Sequence, residues 1–267
     1  MKVWGFIGLG NQGAPIAEKM IQSGAKVHLW ARRKESLSPF EHTCAEFSKD
    51  IVSLGKAVDH CGICVVDDQG VQNIVEQLIP VMKPGSSIAI HSTVSPDLCR
   101  RLEREALVRS IYLVDAPVSG GGSAAANGTL AVMVGGELQA LDKVRPILKC
   151  FAGSISEIGP VGSAQLAKLI NNNLMAANLA LADNAIQLAN ILGINKRAFC
   201  ELVEVSSGYS FAFKIRARMT TAKDFTHGAA LLQKDVNLLA NELTAQGKSH
   251  FLKDVAESFL QDIFSEK

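Results

Sequence analysis

Residues 3–13 read VWGFIGLGNQG: a short β-prone run, Val3–Ile7, passes directly into Gly8-Leu9-Gly10-Asn11-Gln12-Gly13, and an amphipathic stretch, Ala14–Gln22, follows. Strand, glycine loop and helix in that order, at the start of the chain, constrain the fold more than any other feature. Glycines allow the chain to turn tightly, and they let backbone N–H groups approach an anion at the positive end of the helix. A second strand, Lys26–Trp30, completes a βαβ pattern of the kind that holds the pyrophosphate of a dinucleotide. The spacing alone is weak, because glycines also serve ordinary turns; the surrounding strand and helix give it weight.

The pattern then repeats. Strands are expected at Ile63–Val66, Ser87–His91, Tyr112–Asp115, Ala131–Val134 and Ser154–Ile158, with helices at Val71–Ile79, Pro96–Arg109 and Leu138–Leu148 among them. Alternation with short connections predicts an α/β domain, a Rossmann-type doubly wound sheet, over residues 1–161. After Gly162 the strands stop. A helix to about Leu192, apolar on nearly every side, is followed by helical patterns near Lys196–Val205, Ser210–Thr221 and Ala229–Gln246, and a last one from about His250. Residues 162–267 are therefore expected to form an all-α C-terminal domain that includes the long linking helix. A helix with Leu166, Leu169, Ile170, Leu174, Leu181 and Leu188 around its circumference needs cover, either between domains or against a second subunit.

Composition narrows the partners. With 27 Lys+Arg against 26 Asp+Glu, the formal net charge is +1. No long basic stripe is visible, so nucleic acid is not expected. No apolar run reaches membrane-spanning length, and the N-terminal apolar run is too short for a signal peptide. Cys61-Gly-Ile-Cys64 lacks a second pair to complete a zinc set, so no metal is expected, and the pattern reads as free thiols in a reducing cytoplasm.

The end of the second strand bears on the choice of dinucleotide. An Asp or Glu there would hold ribose hydroxyls; instead Trp30 and Ala31 are followed by Arg32 and Arg33, and Glu35 lies too far on. A guanidinium can clamp a 2′-phosphate, so NADP is favoured over NAD, with a solvated pair of arginines as the alternative. Two further places carry chemistry. Ser119-Gly120-Gly121-Gly122 follows a strand and could form an anion nest or a plain glycine turn. In KLINNN, Lys168 and Asn172 stand four apart on one helical face.

The blocks GFIGLGNQG (5–13), HSTVSP (91–96), DAPVSGG (115–121), GTLAVMVGG (128–136), GSAQLAKLINN (162–172) and KDVNLLA (234–240) occur in that order. Together they closely resemble the β-hydroxyacid dehydrogenase family of 3-hydroxyisobutyrate dehydrogenases and of tartronate, glyoxylate and succinic semialdehyde reductases. The resemblance covers residue 1 to about 245. It implies a cytoplasmic homo-oligomer, dimer or tetramer, with a 6-phosphogluconate dehydrogenase-like C-terminal domain and an active site between the domains. The implied reaction is hydride transfer between NAD(P) and a small carboxylate bearing a hydroxyl or carbonyl group.

Residue by residue, the resemblance makes Lys168 the general acid/base and Asn172 its partner. It assigns the substrate carboxylate to Ser119, Gly120 and Gly121. The cofactor falls to the loop Gly8, Leu9, Gly10, Asn11, Gln12 and Gly13, with Arg32, Thr93 and Lys234. A lysine can move a proton at an alcohol if an apolar, cation-containing site lowers its pKa from about 10.4. Asn171 and Asn173 point to other faces and read as structural.

Departures are local. His91 stands where the family often has an acid, and is expected to pack at the strand end; a pH-sensitive site is the other reading. The segment FTHGAALLQ before Lys234 lacks the aromatic usual about two turns upstream, with His227 near that place, and looks a couple of residues short. The tail after Lys234 is also short for the family. Two other functions remain open: an imine reductase, a group that generally replaces the lysine, and a catalytically silent cofactor-binding scaffold.

Overall fold

The computed structural model describes residues 2–264, the side chain of His227 excepted. The chain divides into two compact units, the first ending at Lys168 and the second beginning at Leu169. In the first, strands β1 (Val3–Ile7), β2 (Lys26–Trp30), β3 (Glu46–Phe47), β4 (His60–Ile63), β5 (Ser87–Ile90) and β6 (Tyr112–Asp115) lie side by side in the order 3-2-1-4-5-6. All five pairings are parallel. Helices α1 (Gly13–Gln22), α2 (Ile51–Ala57), α3 (Asp68–Leu78) and α4 (Pro96–Leu107) connect them. This is the doubly wound order whose reversal beside the first strand opens a crevice at the strands' carboxyl ends.

The sheet then departs from pure parallel pairing. After β6 come β7 (Val118–Ser119), α5 (Gly121–Asn127), β8 (Leu130–Gly135), α6 (Leu138–Leu148) and β9 (Ala152–Gly159). Strand β8 pairs antiparallel with β6 and β7 and parallel with β9. Two apolar clusters form the core. Phe6, Ile16, Met20, Leu29 and Phe151 belong to one, and Ile7, Leu54, Ile63, Leu78 and Ile88 to the other, so neighbouring β1 residues Phe6 and Ile7 point to opposite faces.

Strand β4 sits three residues earlier than the hydrophobic run predicts. His60 is buried and its Nδ1 lies 2.9 Å from Ser87 Oγ, so a partner on β5 accommodates a polar residue inside the sheet. The short helix α2 is also absent from the sequence reading; Asp50 and Ser53 close a capping box on it.

The second unit begins inside α7 (Ser163–Ile191) and continues with α8 (Lys196–Glu204), α9 (Phe211–Ala217), α10 (Thr226–Thr244) and α11 (Phe251–Phe264). Its main cluster includes Leu179, Leu232, Val236, Phe259 and Leu260. Asp183 and Arg216, both buried, form an ion pair at 2.6 Å; Gln187 donates to the other Asp183 oxygen, and Arg216 also donates to the Met219 carbonyl. Much of α7 is left uncovered by its own chain: Ile170, Leu174, Leu181, Leu188 and Ile191 are exposed, as is Leu192 just past its end. Among the described residues, no helix is long and apolar enough to cross a membrane.

Candidate active site

The glycine loop leaves β1 and enters α1 beside the second and fourth strands, as the βαβ pattern requires. A Cβ on Gly8 would collide with the Cys64 carbonyl, and one on Gly13 with the carbonyl of Gly8. Nothing lies within 4 Å of a Cβ built on Gly10. Gly8 and Gly13 thus close the turn against the sheet and helix, while Gly10 leaves open space for a close-approaching group. Helices α2, α3 and α4 carry side-chain N-caps from Asp50, Asp67 and Ser95. Gln12 makes no such bond at the start of α1, as suits a helix end that meets an anion.

A groove of about 400 Å³ runs from this loop along the strand ends. Gly8, Leu9 and Gly10 line one part, Val65, Val66 and Asp67 another, and Trp30, Ala31, Arg32, Arg33 and Ser36 a third. Both arginines are exposed and Glu35 is not part of the lining. Asn11, Gln12, Gly13 and Thr93 also lie outside the lining. A Cβ on Gly122 would meet the Asn11 carbonyl at 2.9 Å, so the glycine loop packs against the Ser119–Gly122 segment.

That segment joins β7 to α5, a helix the sequence reading did not expect. Gly120 and Gly121 have φ of 129° and 71°, backbone that side chains rarely adopt, so the turn depends on glycine there. His91 is buried, stacked on Phe6 at 5.9 Å and edge-on to Phe151 at 5.5 Å. Its Nδ1 lies 2.9 Å from the Ala116 carbonyl, and burial pushes its pKa down to about 4. It is a neutral core residue that donates to a carbonyl. Cys61 and Cys99 are buried, Cys64 lines the groove with its thiol pushed up to about 12 by burial, and all six cysteines are free.

On α7, Lys168 is 7% exposed, close to the helix start. Asn172, one turn further on, donates from Nδ2 to Asp235 Oδ2 at 2.6 Å. The other Asp235 oxygen lies 3.1 Å from Lys234 Nζ. Asp235 is 3% exposed, so a buried carboxylate fixes the orientation of the Asn172 amide. Asn173 donates to the Leu169 and Asp235 carbonyls, tying α7 to α10, and Asn171 donates to Asn172. Phe225, just before α10, folds its ring over Gly228. The His227 side chain lies outside the described residues.

Sequence reading missed three polar residues. Asp235 is one; Asp115 and Gln165 are the others, both 0% exposed. Asp115 accepts hydrogen bonds from the Gly162 and Gln165 N–H groups, and burial raises its pKa to about 6 despite them. The available signal was an acid at a strand end followed closely by a glycine turn. Their partners lie 47 to 73 positions away in the chain, beyond any local pattern.

A Rossmann sheet with this glycine turn, followed by a long helix that carries a buried lysine near its start, defines an NAD(P)-dependent oxidoreductase. Residues 3–159 match the family model for the NAD binding domain of 6-phosphogluconate dehydrogenase. Residues 162–266 match that for NAD-binding of NADP-dependent 3-hydroxyisobutyrate dehydrogenase. An NAD-dependent L-serine dehydrogenase of Pseudomonas aeruginosa is 30% identical, across 93% of this chain and 88% of that protein. The mitochondrial 3-hydroxyisobutyrate dehydrogenase of Drosophila melanogaster is 28% identical, across 97% and 83%. The structure of a Mycobacterium tuberculosis 3-hydroxyisobutyrate dehydrogenase with L-serine superposes with a TM-score of 0.88, at 26% identity, covering 98% of this chain and 93% of that one. The chain belongs to the β-hydroxyacid dehydrogenase family.

Proposed function

We propose that the protein catalyses the reversible, NADP(H)-linked oxidation of a small β-hydroxy acid to its semialdehyde, with Lys168 as general acid/base. The observation that carries this reading is Lys168 buried on the face of α7 that also bears Asn172, whose amide is held by Asp235. A dinucleotide, when bound, supplies the hydride chemistry at nicotinamide C4. Lys168 takes the hydroxyl proton during oxidation and returns it during reduction, so one group serves both directions. Asn172 orients the reacting oxygen; Asp235 keeps that amide from rotating away. Ser119, Gly120 and Gly121 hold the substrate carboxylate through backbone N–H groups and the Ser119 hydroxyl. Residues 8–13 with Thr93 and Lys234 hold the dinucleotide.

The NADP preference rests on the third wall of the groove. No carboxylate lines it at the end of β2, where a ribose diol would need an acceptor, and Arg32 and Arg33 stand there instead. L-Serine and 3-hydroxyisobutyrate, named for two of the relatives, are the first substrates to try; both carry a hydroxyl β to a carboxylate. Two further traits belong to this reading. The free thiols suit a reducing cytoplasm, and the uncovered face of α7 suits a homo-oligomer.

Lys168→Ala tests the mechanism. It should keep NADPH binding and lose roughly 10²- to 10⁴-fold in kcat, the usual worth of a positioned acid/base; unchanged turnover would remove Lys168 from the role. For the cofactor, kcat/KM is compared with NADPH and NADH in wild type and Arg32→Glu. Wild type should favour NADPH, and the variant should narrow or reverse the ratio; a wild-type preference for NADH would defeat the arginine argument.

A further inference from the structure

We infer that Asp115 and Gln165 are positioning residues for Lys168: together they lock the first turn of α7 to the strand ends that border the dinucleotide groove. This rests on the catalytic reading of Lys168 given above.

The lock has three parts, all within the first unit. Asp115, at the end of β6, receives the Gly162 N–H at 2.9 Å on one oxygen and the Gln165 N–H at 2.8 Å on the other. Gln165 then reaches back through its own side chain, donating from Nε2 to the Ser92 carbonyl at 2.8 Å and accepting the Val94 N–H on Oε1 at 3.2 Å. Ser92 continues the line by accepting the Val65 N–H on its hydroxyl at 2.8 Å, and Val65 lines the groove. The loops after β4, β5 and β6 are thereby tied to one turn of one helix.

Ordinary capping does not call for this arrangement. An exposed or half-buried Ser or Asp satisfies helix N–H groups, as at α2, α3 and α4. Burying a whole carboxylate at 0% exposure opposes folding unless its oxygens are well bonded. The backbone makes room for it: a Cβ on Gly135 would sit 2.5 Å from Asp115 Oδ1 and 2.9 Å from the Pro160 carbonyl. What the buried acid and amide provide is a defined rotation and height for α7. Lys168 follows Gln165 by three residues, about 4.5 Å along the axis and nearly on the same face. The position of its amine is inherited from the turn that Asp115 and Gln165 hold.

Gln165→Leu tests this, since it removes both side-chain bonds while keeping most of the volume. NADP⁺-linked oxidation of 3-hydroxyisobutyrate or L-serine is followed, using whichever probe wild type turns over faster. A reacting group displaced by about 1 Å costs on the order of 100-fold, so kcat should fall about 10- to 100-fold. The KM for NADP⁺ should stay near wild type, while the urea midpoint falls, because the Ser92 carbonyl and the Val94 N–H are left buried without a partner. In the double variant Gln165→Leu/Lys168→Ala, turnover should be no lower than in Lys168→Ala alone. Unchanged kcat in folded Gln165→Leu overturns the inference, and so does a fall that multiplies with that of Lys168→Ala. If Lys168→Ala by itself keeps turnover, the catalytic reading has failed, and that single variant reveals it. Should Gln165→Leu not fold, Gln165→Glu takes its place, since it keeps the acceptor for Val94 and loses the donor to Ser92; the same outcomes decide.

Discussion

In the N-terminal unit, helices cover the sheet, and its exposed large apolar side chains are scattered: Phe47, Val66, Leu107, Val108, Leu138 and Ile158. In the helical unit Ile194, Leu202, Val205, Tyr209, Phe211, Leu231, Phe251 and Phe264 are scattered likewise, but others form a series along one element. On α7, Ile170, Leu174, Leu181 and Leu188 recur at spacings of four and seven, which keeps them on one side of the helix. Between Lys168 and Lys196 the single charged residue is Asp183, and it is buried against Arg216. The polar interiors differ too. The first unit buries His60, His91 and Asp115 as hydrogen-bonded groups; the second pairs its buried acids with cations, Asp183 with Arg216 and Asp235 with Lys234. The first unit scatters its exposed apolar side chains, and the second lines up a set of them on one side of α7.

The sharpest way to break this contrast is to remove a buried charge in the helical unit. Arg216→Ala leaves Asp183 without its partner and should destabilise by about 3–5 kcal/mol, read as a lowered urea midpoint. Replacing both residues by apolar ones of similar size should cost far less, and a harmless Arg216→Ala would mean the pair contributes nothing. A smaller effect is expected on the exposed stripe. Each large apolar side chain removed from water contributes about 1.5–3 kcal/mol, so Leu181→Lys with Leu188→Glu should dissociate a homo-oligomer at micromolar concentration. Sedimentation that finds wild type already monomeric would end the assembly reading.

The smallest effect is pH dependence in the first unit. His60 and His91 have pKa values lowered to about 3 and about 4 from 6.5 by burial, with His91 adding to the effect at His60. Their contribution is complete above pH 6.5 and is lost as pH falls below it, because the unfolded chain takes up the protons. Asp115 works the other way: its pKa is raised from 3.8 to about 6, so the folded state gains a proton below pH 6. Two protons bound by the unfolded chain against one by the folded leave a net slope of about 1.4 kcal/mol per pH unit between pH 6 and 4. His91→Phe should flatten that limb in urea titrations at stepped pH; an unchanged slope would show that His91 does not stay neutral.

Much of the fold was legible because the relevant rules are local. The bounds of β1, β2 and β6 follow from β-prone runs between turn residues, and the end of α7 from Gly193. The misplaced β4 has a physical cause: a strand buried on both sides takes its register from its neighbours, so His60 enters the sheet beside Ser87 although the more apolar run lies later. Helix α5 follows a glycine turn that locally resembles any other, and only pairing with β8 shows what the turn is for. Within the candidate site, Lys168 and Asn172 could be matched because helical spacing places them together. Asp235 could not, because its bond to Asn172 spans 63 positions.

The sequence by itself determined the βαβ start, the glycine loop, the missing acid after β2, the change to helices after Gly162 and the Lys168–Asn172 pair. Each depends on covalent spacing and on backbone preferences acting over a few residues. Tertiary structure alone decided that His91 is a core residue, that Asp235 orients Asn172, and that Asp115 and Gln165 hold the start of α7. A buried polar group takes its role from the partner that replaces water, and for these residues that partner lies far along the chain.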